Sequence, residues 1–307
     1  MALSVHRREF LKASVGGLVG ATLAPNAFAK SAPLAVTKLT DRMIMISGAG
    51  ANVLAAREPK GEGVVMVDGG LAENSRELLK LVHKTLGSRD IGVLFNTHWH
   101  HEHTGSNLAL GKAGAKIVAQ ENTRLWLTTD ITRPWEKVTF KAYPKIAQPN
   151  QTFYSSGTMP FGDQEIEYGY LLQAHTDGDI YVFFPKENVL IAGGVVSNDG
   201  WPLVDWWTGG WINGLADGLD LLVRVSNDET RVIPANGPIL SRADLKEQHD
   251  MYRTIGGRLT GMLNKGFGPD EAVAATPTKE YDAKWGDPKQ FVTLAFESLW
   301  GHMSPDA

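Results

Sequence analysis

Thr97-His98-Trp99-His100-His101-Glu102-His103-Thr104-Gly105 places four of the chain's nine histidines within six residues, directly after the apolar run Ile91–Phe95. That run reads as a short buried strand, so the histidines emerge at a strand end. Side chains two residues apart in extended backbone project to one side, and His98 and His100 can therefore share one ion through neutral imidazole nitrogens. A third ligand has to come from elsewhere. His175, in Ala174-His175-Thr176-Asp177-Gly178-Asp179, sits at another expected strand end before a turn and is the candidate. Three histidines with one open position make a catalytic zinc site. By alternation His101 points the opposite way and is not expected to be a ligand. His83 and His249 fall on expected helices and read as ordinary surface or packing residues. Gly105 stands where a HExxH motif needs its second histidine, and the chain has no G-x-S-x-G or S-x-x-K, so neither a zincin nor a serine hydrolase fits.

Working outward, the flanks alternate strand and helix. Leu34–Thr37, Met43–Ile46, Asn52–Ala55 and Val64–Val67 are short β-rich runs separated by turn residues. Asn74 with Glu77 makes a capping pattern, Leu78, Leu79, Val82 and Leu86 follow at helical spacing, and Gly87 supplies the stop. Ala115–Ala119 is the next expected strand. Residues 121–160 hold Trp126, Pro134, Trp135, Pro144 and Pro149 without sustained periodicity and read as an insertion or lid outside the regular core. A second β half follows with Glu165–Leu172, Ile180–Phe184 and Val189–Ala192, the last two joined by a tight turn at Lys186-Glu187-Asn188. Trp211, Leu215, Leu219 and Leu222 mark an amphipathic helix and Arg231–Pro234 a final strand. A helix is expected over Ser241–Lys265, capped by Ser241 with Asp244 and stopped by Gly266, and another over 288–300. No repeat or polar linker divides the chain after Ala29.

The N-terminus reads as an address. Arg7-Arg8-Glu9-Phe10-Leu11-Lys12 precedes a Gly/Ala-rich weakly apolar run, and Ala27-Phe28-Ala29 is a small-x-small cleavage pattern. The paired arginines with Phe-Leu-Lys resemble a twin-arginine signal, with His6 where Ser or Thr is usual. The expectation is an export signal over residues 1–29, cleavage after Ala29, a periplasmic mature domain over 30–307 and no stable membrane insertion once the signal is gone, since the apolar run is too short to span about 30 Å of hydrocarbon.

Composition narrows the partners. Lys and Arg number 30 against 34 Asp and Glu, a net charge of -4, which gives no basic footprint for nucleic acid and leaves a small molecule as the expected substrate. The absence of cysteine removes disulfides, thiolate ligands and a cysteine nucleophile. Any metal must use imidazole, carboxylate or amide.

His98-Trp99-His100-His101-Glu102-His103 resembles the H-x-H-x-D-H signature of the metallo-β-lactamase fold superfamily. The resemblance extends through the strand ending at Asp68, His175 with its Thr-Asp-Gly-Asp, the strand ending at Gly193-Gly194, and Ile233-Pro234-Ala235-Asn236-Gly237-Pro238. It implies an α/β fold, an αβ/βα sandwich with the metal site at one edge between the sheets, and a first ion held by His98, His100 and His175. The family holds a second ion with the Asp and last His of the motif, an Asp ending a later strand, and a His in a P-G-H-G turn. Those places hold Glu102, His103, Gly194 and Asn236 in this chain. Glycine offers no ligand, and an amide oxygen is a poor zinc ligand beside imidazole. The expectation is one Zn2+ per chain, with His103 left as the remnant of a weak second site and Asp199 as a substitute ligand to be weighed.

The implied activity is that of a metal-dependent hydrolase attacking an amide, ester or lactone carbonyl, a β-lactam among them. Glu102 is the expected base, either reaching across the vacated second site or bonding the attacking water directly. Asp177 and Asp179, with Asn236, are candidate supports for the ligands; the two carboxylates read equally well as turn caps. Trp201, Trp206, Trp207 and Trp211 lie within eleven residues. Core packing accounts for Trp211, and the other three are candidates to line an apolar substrate pocket. Arg133, Lys137 and Lys141 are the basic residues at hand for a substrate carboxylate. The alternative function is a non-catalytic or redox-accessory protein that keeps metal or ligand binding after losing its second site.

Overall fold

The computed structural model describes residues 33–61, 63–198 and 200–303, all within a unit that begins at Pro33. The expected signal with its cleavage point, and Asp199, lie outside the described residues. The chain opens with β1 (Ala35–Lys38), β2 (Met43–Ser47), β3 (Val53–Arg57) and β4 (Val64–Val67). Helix α1 (Ser75–Leu86), β5 (Ile91–Phe95), α2 (His101–Thr104), α3 (Asn107–Lys112), β6 (Lys116–Gln120) and α4 (Glu121–Leu127) follow. Then come a small hairpin, β7 (Ile131–Arg133) and β8 (Val138–Phe140), and the strands β9 (Gln151–Phe153), β10 (Ser156–Phe161), β11 (Gln164–Tyr170), β12 (Ile180–Phe184) and β13 (Val189–Ile191). The remainder is α5 (Ile212–Val225), β14 (Arg231–Ile233), α6 (Arg242–Leu263), α7 (Pro269–Ala274), α8 (Asp282–Trp285) and α9 (Lys289–Met303).

The strands form two main sheets, ordered β1-β2-β3-β4-β5-β6-β9 and β10-β11-β12-β13-β14. Period-two alternation decides how the first is packed. Met43, Met45, Leu54, Ala56, Val65 and Val67 point into a core shared with Ile166, Val182, Phe184 and Ile191 of the second sheet. Their neighbours Ile44, Ile46, Val53, Ala55, Val64 and Met66 point the other way, onto Leu78, Val82 and Leu86 of α1. The second sheet sends Phe183, Leu190 and Val232 outward against α5, α6 and α9. Helices therefore cover both outer faces of a two-sheet sandwich, the αβ/βα architecture expected from the sequence. No helix among the described residues is long and apolar enough to cross a membrane.

Two local expectations are corrected. Residues 121–160 are not simply an insertion, because β9 completes the edge of the first sheet and β10 opens the second. Three residues are too few to show a period, and Gly157 and Pro160 in β10 look like turn residues. Proline is tolerated there because β10 is an edge strand, hydrogen-bonded only to β11. Asn74 does not cap α1: its backbone is helical, at φ -88° and ψ -14°, and its side chain makes no capping bond. The 3-10 turn Ala72–Asn74 leads the chain directly into the helix instead. The other end behaves as read, with Gly87 left-handed at φ 68°, and Ser241 and Asp244 form the full capping box of α6.

Candidate metal centre

Leaving β5, the chain is fixed beside the second sheet by Ile180 N–H donating to the Thr97 carbonyl at 2.9 Å. A buried amide pair, Asn96 with Asn107 at 2.8 and 3.0 Å, pins the same loop to α3. His100 then opens α2, its carbonyl accepting from His103 and Thr104 N–H. His175 arrives from the loop after β11. That loop is zippered to residues 205–211: Asp205 N–H donates to the His175 carbonyl, Asp177 N–H to Thr208, and Trp211 N–H to Ala174. The result brings His98, His100 and His175, all buried, to where one nitrogen of each lies within 4.8 Å of the others.

The partners on the outer side of each ring fix its tautomer. Thr97 Oγ1 lies 2.9 Å from Asp68 Oδ2, and the carboxylate can only accept. The hydroxyl's one proton goes to Asp68, so Oγ1 accepts from His98 Nδ1 at 3.0 Å. His98 Nε2 is left buried, without a hydrogen-bond partner. His175 Nδ1 donates to the Leu203 carbonyl at 2.6 Å, leaving the Nε2 lone pair free. His100 Nε2 donates to buried Asp205 Oδ2 at 2.8 Å, leaving Nδ1 free. Nδ1 of His100 and Nε2 of His175 face each other at 3.2 Å with no proton assigned between them. Three lone pairs converging in a buried space fit a divalent cation, and carboxylate, hydroxyl and carbonyl partners behind ligating imidazoles are what such ions require.

Electrostatics favours neutral rings at His98 and His175. Burial and the neighbouring histidines hold His98 well below its ordinary pKa, and burial with His100 pushes His175 down to about 3. For Asp205 burial opposes charge, but the hydrogen bond from His100 prevails and holds the carboxyl below the usual range. Glu102 follows the same logic. Burial favours its neutral form, yet the histidines around it, His100 first, hold its pKa well below the usual range. Its Oε1 lies 3.6 Å from Nδ1 of His100, the nitrogen facing the centre, and its side chain is 27% exposed.

The remaining sequence candidates are placed as follows. His103 turns its Nδ1 to Asp68 Oδ2 at 2.7 Å; burial works against charge, and Asp68 outweighs it, raising the pKa. His101 stacks on Phe140 at 4.6 Å and turns its Nδ1 to Glu102 Oε2 at 3.0 Å. Gly194 packs directly on His175, where a Cβ would overlap the imidazole, and a Cβ at Gly193 would overlap Thr97 Oγ1. Asn236 lies in the turn that Asn52 ties down through the Pro234 and Gly237 carbonyls. Asp179 accepts from Thr176 N–H and Oγ1, a turn cap, and burial raises its pKa well above the carboxylate range. Asp177 accepts from Trp126 Nε1 at 2.6 Å and is pushed up to about 6 by burial. Trp201 stacks on Phe291 at 4.6 Å, and Trp206 bonds Glu297 at 2.9 Å, so both reach α9. Trp207 is 48% exposed. Trp211 stacks on His302 at 4.4 Å. Arg133 is buried, 4.9 Å from the Trp99 ring, with Nη1 on Glu136 and with Nε and Nη2 unpartnered. Lys141 pairs with Asp130, and Lys137 sits at the hairpin turn.

Sequence reading missed Asp205, the Leu203 carbonyl and the double role of Asp68. The one available signal was Asp205 itself, an acid between Val204 and Trp206 in an aromatic run, where an ionised group needs a specific partner to be buried.

Residues 48–235 match the model of the metallo-beta-lactamase superfamily, and the chain belongs to that superfamily. Similar solved structures include a metallo-beta-lactamase from Pontibacter korlensis, 20% identical, with TM-score 0.57, covering 72% of this chain and 99% of that one. The stereoselective inverting sec-alkylsulfatase Pisa1 from Pseudomonas sp. is 17% identical, with TM-score 0.68. That match covers 89% of this chain but only 52% of the alkylsulfatase. The DIM-1 metallo-beta-lactamase is 18% identical, with TM-score 0.56, covering 72% of this chain and 97% of that one. At these identities the likeness is one of fold.

Proposed function

We propose that this chain is an exported zinc-dependent hydrolase that works with one ion per chain. The reading is carried by the three converging lone pairs of His98, His100 and His175, each set by a partner on the outer side of its ring. Zinc in such a set supplies a Lewis acid that polarises a substrate carbonyl and activates water for attack. Glu102 is placed to receive the proton of the attacking water, since its Oε1 stands 3.6 Å from the inner nitrogen of His100. Asp205 and the Leu203 carbonyl hold the rings of His100 and His175 in their ligating tautomers, and Asp68 does so for His98 through Thr97. Two observations support a single ion. A side chain at 194 has no room beside His175, and Asn236 stands where the family resemblance places a histidine, offering only an amide. The substrate is a small amide, ester or lactone, β-lactams included; the likeness to an alkylsulfatase adds secondary alkyl sulfates to the compounds worth screening.

Elemental analysis of the purified protein, after zinc addition and desalting, tests the count. About one zinc per chain is expected, and two would overturn the mononuclear reading. Glu102→Gln should keep the zinc and lose turnover by about 100-fold or more. Normal turnover in that variant would remove Glu102 as the base. Zinc retention with no turnover across the whole screen would favour the non-catalytic binding protein.

A further inference from the structure

A large groove is lined by none of the site's histidines. It measures about 1040 Å³ and lies between α1, α3 and the segment from Tyr143 to Ala147, on the helix-covered side of the first sheet. Its apolar lining includes Leu79, Leu108, Ala109 and Pro144, and Leu108 is 41% exposed. The charged residues that line it are all basic: Arg76, Lys80, Lys84, Arg89 and Lys112. Among the described residues no carboxylate forms an ion pair with Arg76, Lys84, Arg89 or Lys112, and Lys80 has only exposed Glu77 at 3.5 Å. Arg242, Arg258 and Lys284 each have a carboxylate within 3.1 Å, while Lys60, Lys116, Lys265 and Lys289, scattered elsewhere, form no ion pair among the described residues; what sets the groove apart is that its cations gather around one apolar trough.

An apolar trough walled by unpaired cations has a definite complement: a hydrocarbon chain ending in an anion. We infer that this groove binds a free single-chain carboxylate amphiphile, a fatty-acid-like molecule whose chain lies on Leu79, Leu108 and Pro144 and whose head meets the guanidinium and ammonium groups around them. Its size is that of a small-molecule site rather than a protein interface. Its concavity favours one chain over a bilayer, which is met by an apolar helix face rather than a hollow. The charge around it supplies long-range attraction for the head, so affinity falls as salt rises.

Titration calorimetry with sodium laurate below its micelle concentration tests this on the full mature protein. Saturable binding of one laurate per chain is expected, with no binding of dodecyltrimethylammonium, which has the same chain and the opposite charge. The double variant Arg76→Glu/Lys112→Glu should weaken laurate at least tenfold while keeping its circular dichroism and metal content, and Leu108→Asp should do the same through the apolar floor. Laurate affinity unchanged in both variants overturns the assignment. So does equal binding of the cationic amphiphile, or binding confined to anionic phosphatidylglycerol vesicles, which would make the face a membrane contact.

Discussion

The two sides of the histidine cluster are built to different standards. On one side, His98, His100 and His175 each have one nitrogen tied outward, to Thr97, Asp205 and Leu203, and one turned inward. On the other, where the superfamily resemblance places a second ion, one position is a glycine pressed against a ligand and another is Asn236. Both sides draw on the same motif, but the second takes its other positions from the turns after β13 and β14. Asp68 stands behind His103 much as Asp205 stands behind His100, so the difference lies in the donors that positions 194 and 236 lack. Groups that fix proton and ring orientation complete a ligand set only where the donors themselves are present.

That comparison can be broken in several ways. The largest effect is expected from His98→Ala, which removes a donor that nothing else replaces; metal content should fall to background by elemental analysis while circular dichroism stays native. Asp205→Ala leaves all three donors but frees the His100 ring, and zinc affinity should drop by about 10–100-fold in a chelator competition. Gly194→Asp restores the acid that the family uses at this strand end. Crowding against His175 should instead destabilise the protein by about 1–3 kcal/mol, with no second zinc bound; a second equivalent of zinc would show that the two sides are closer than the structure implies. The smallest effect belongs to Trp207→Ala. At 48% exposure the ring contributes little packing, so stability should change by no more than about 0.5 kcal/mol. A rise in KM with unchanged kcat would place that ring at the substrate.

Legibility followed the strength of the local signal. The β-rich run Met43–Ile46, the apolar run of β5 and the histidine spacing each carry their outcome within a few residues, and β4, β5 and β12 fall where the sequence puts them. β9 and β10 did not show, because a three-residue strand and an edge strand with Gly and Pro carry no period. The cap at Asn74 failed because the preceding residues had already turned helical. Asp205 meets His100 across 105 residues of sequence, a contact that only the tertiary fold creates. Ligand identity was thus written locally, and ligand orientation was not.

The three imidazoles also join parts of the chain that nothing covalent joins. His98 and His100 leave the first sheet and His175 leaves the second, in a protein without a single cysteine. An ion shared by them is a staple across the sandwich, binding the folded chain and not the unfolded one. At a free concentration a thousand times its dissociation constant it adds about 4 kcal/mol to the folded state. Stripping the metal should therefore lower the melting temperature of the whole domain.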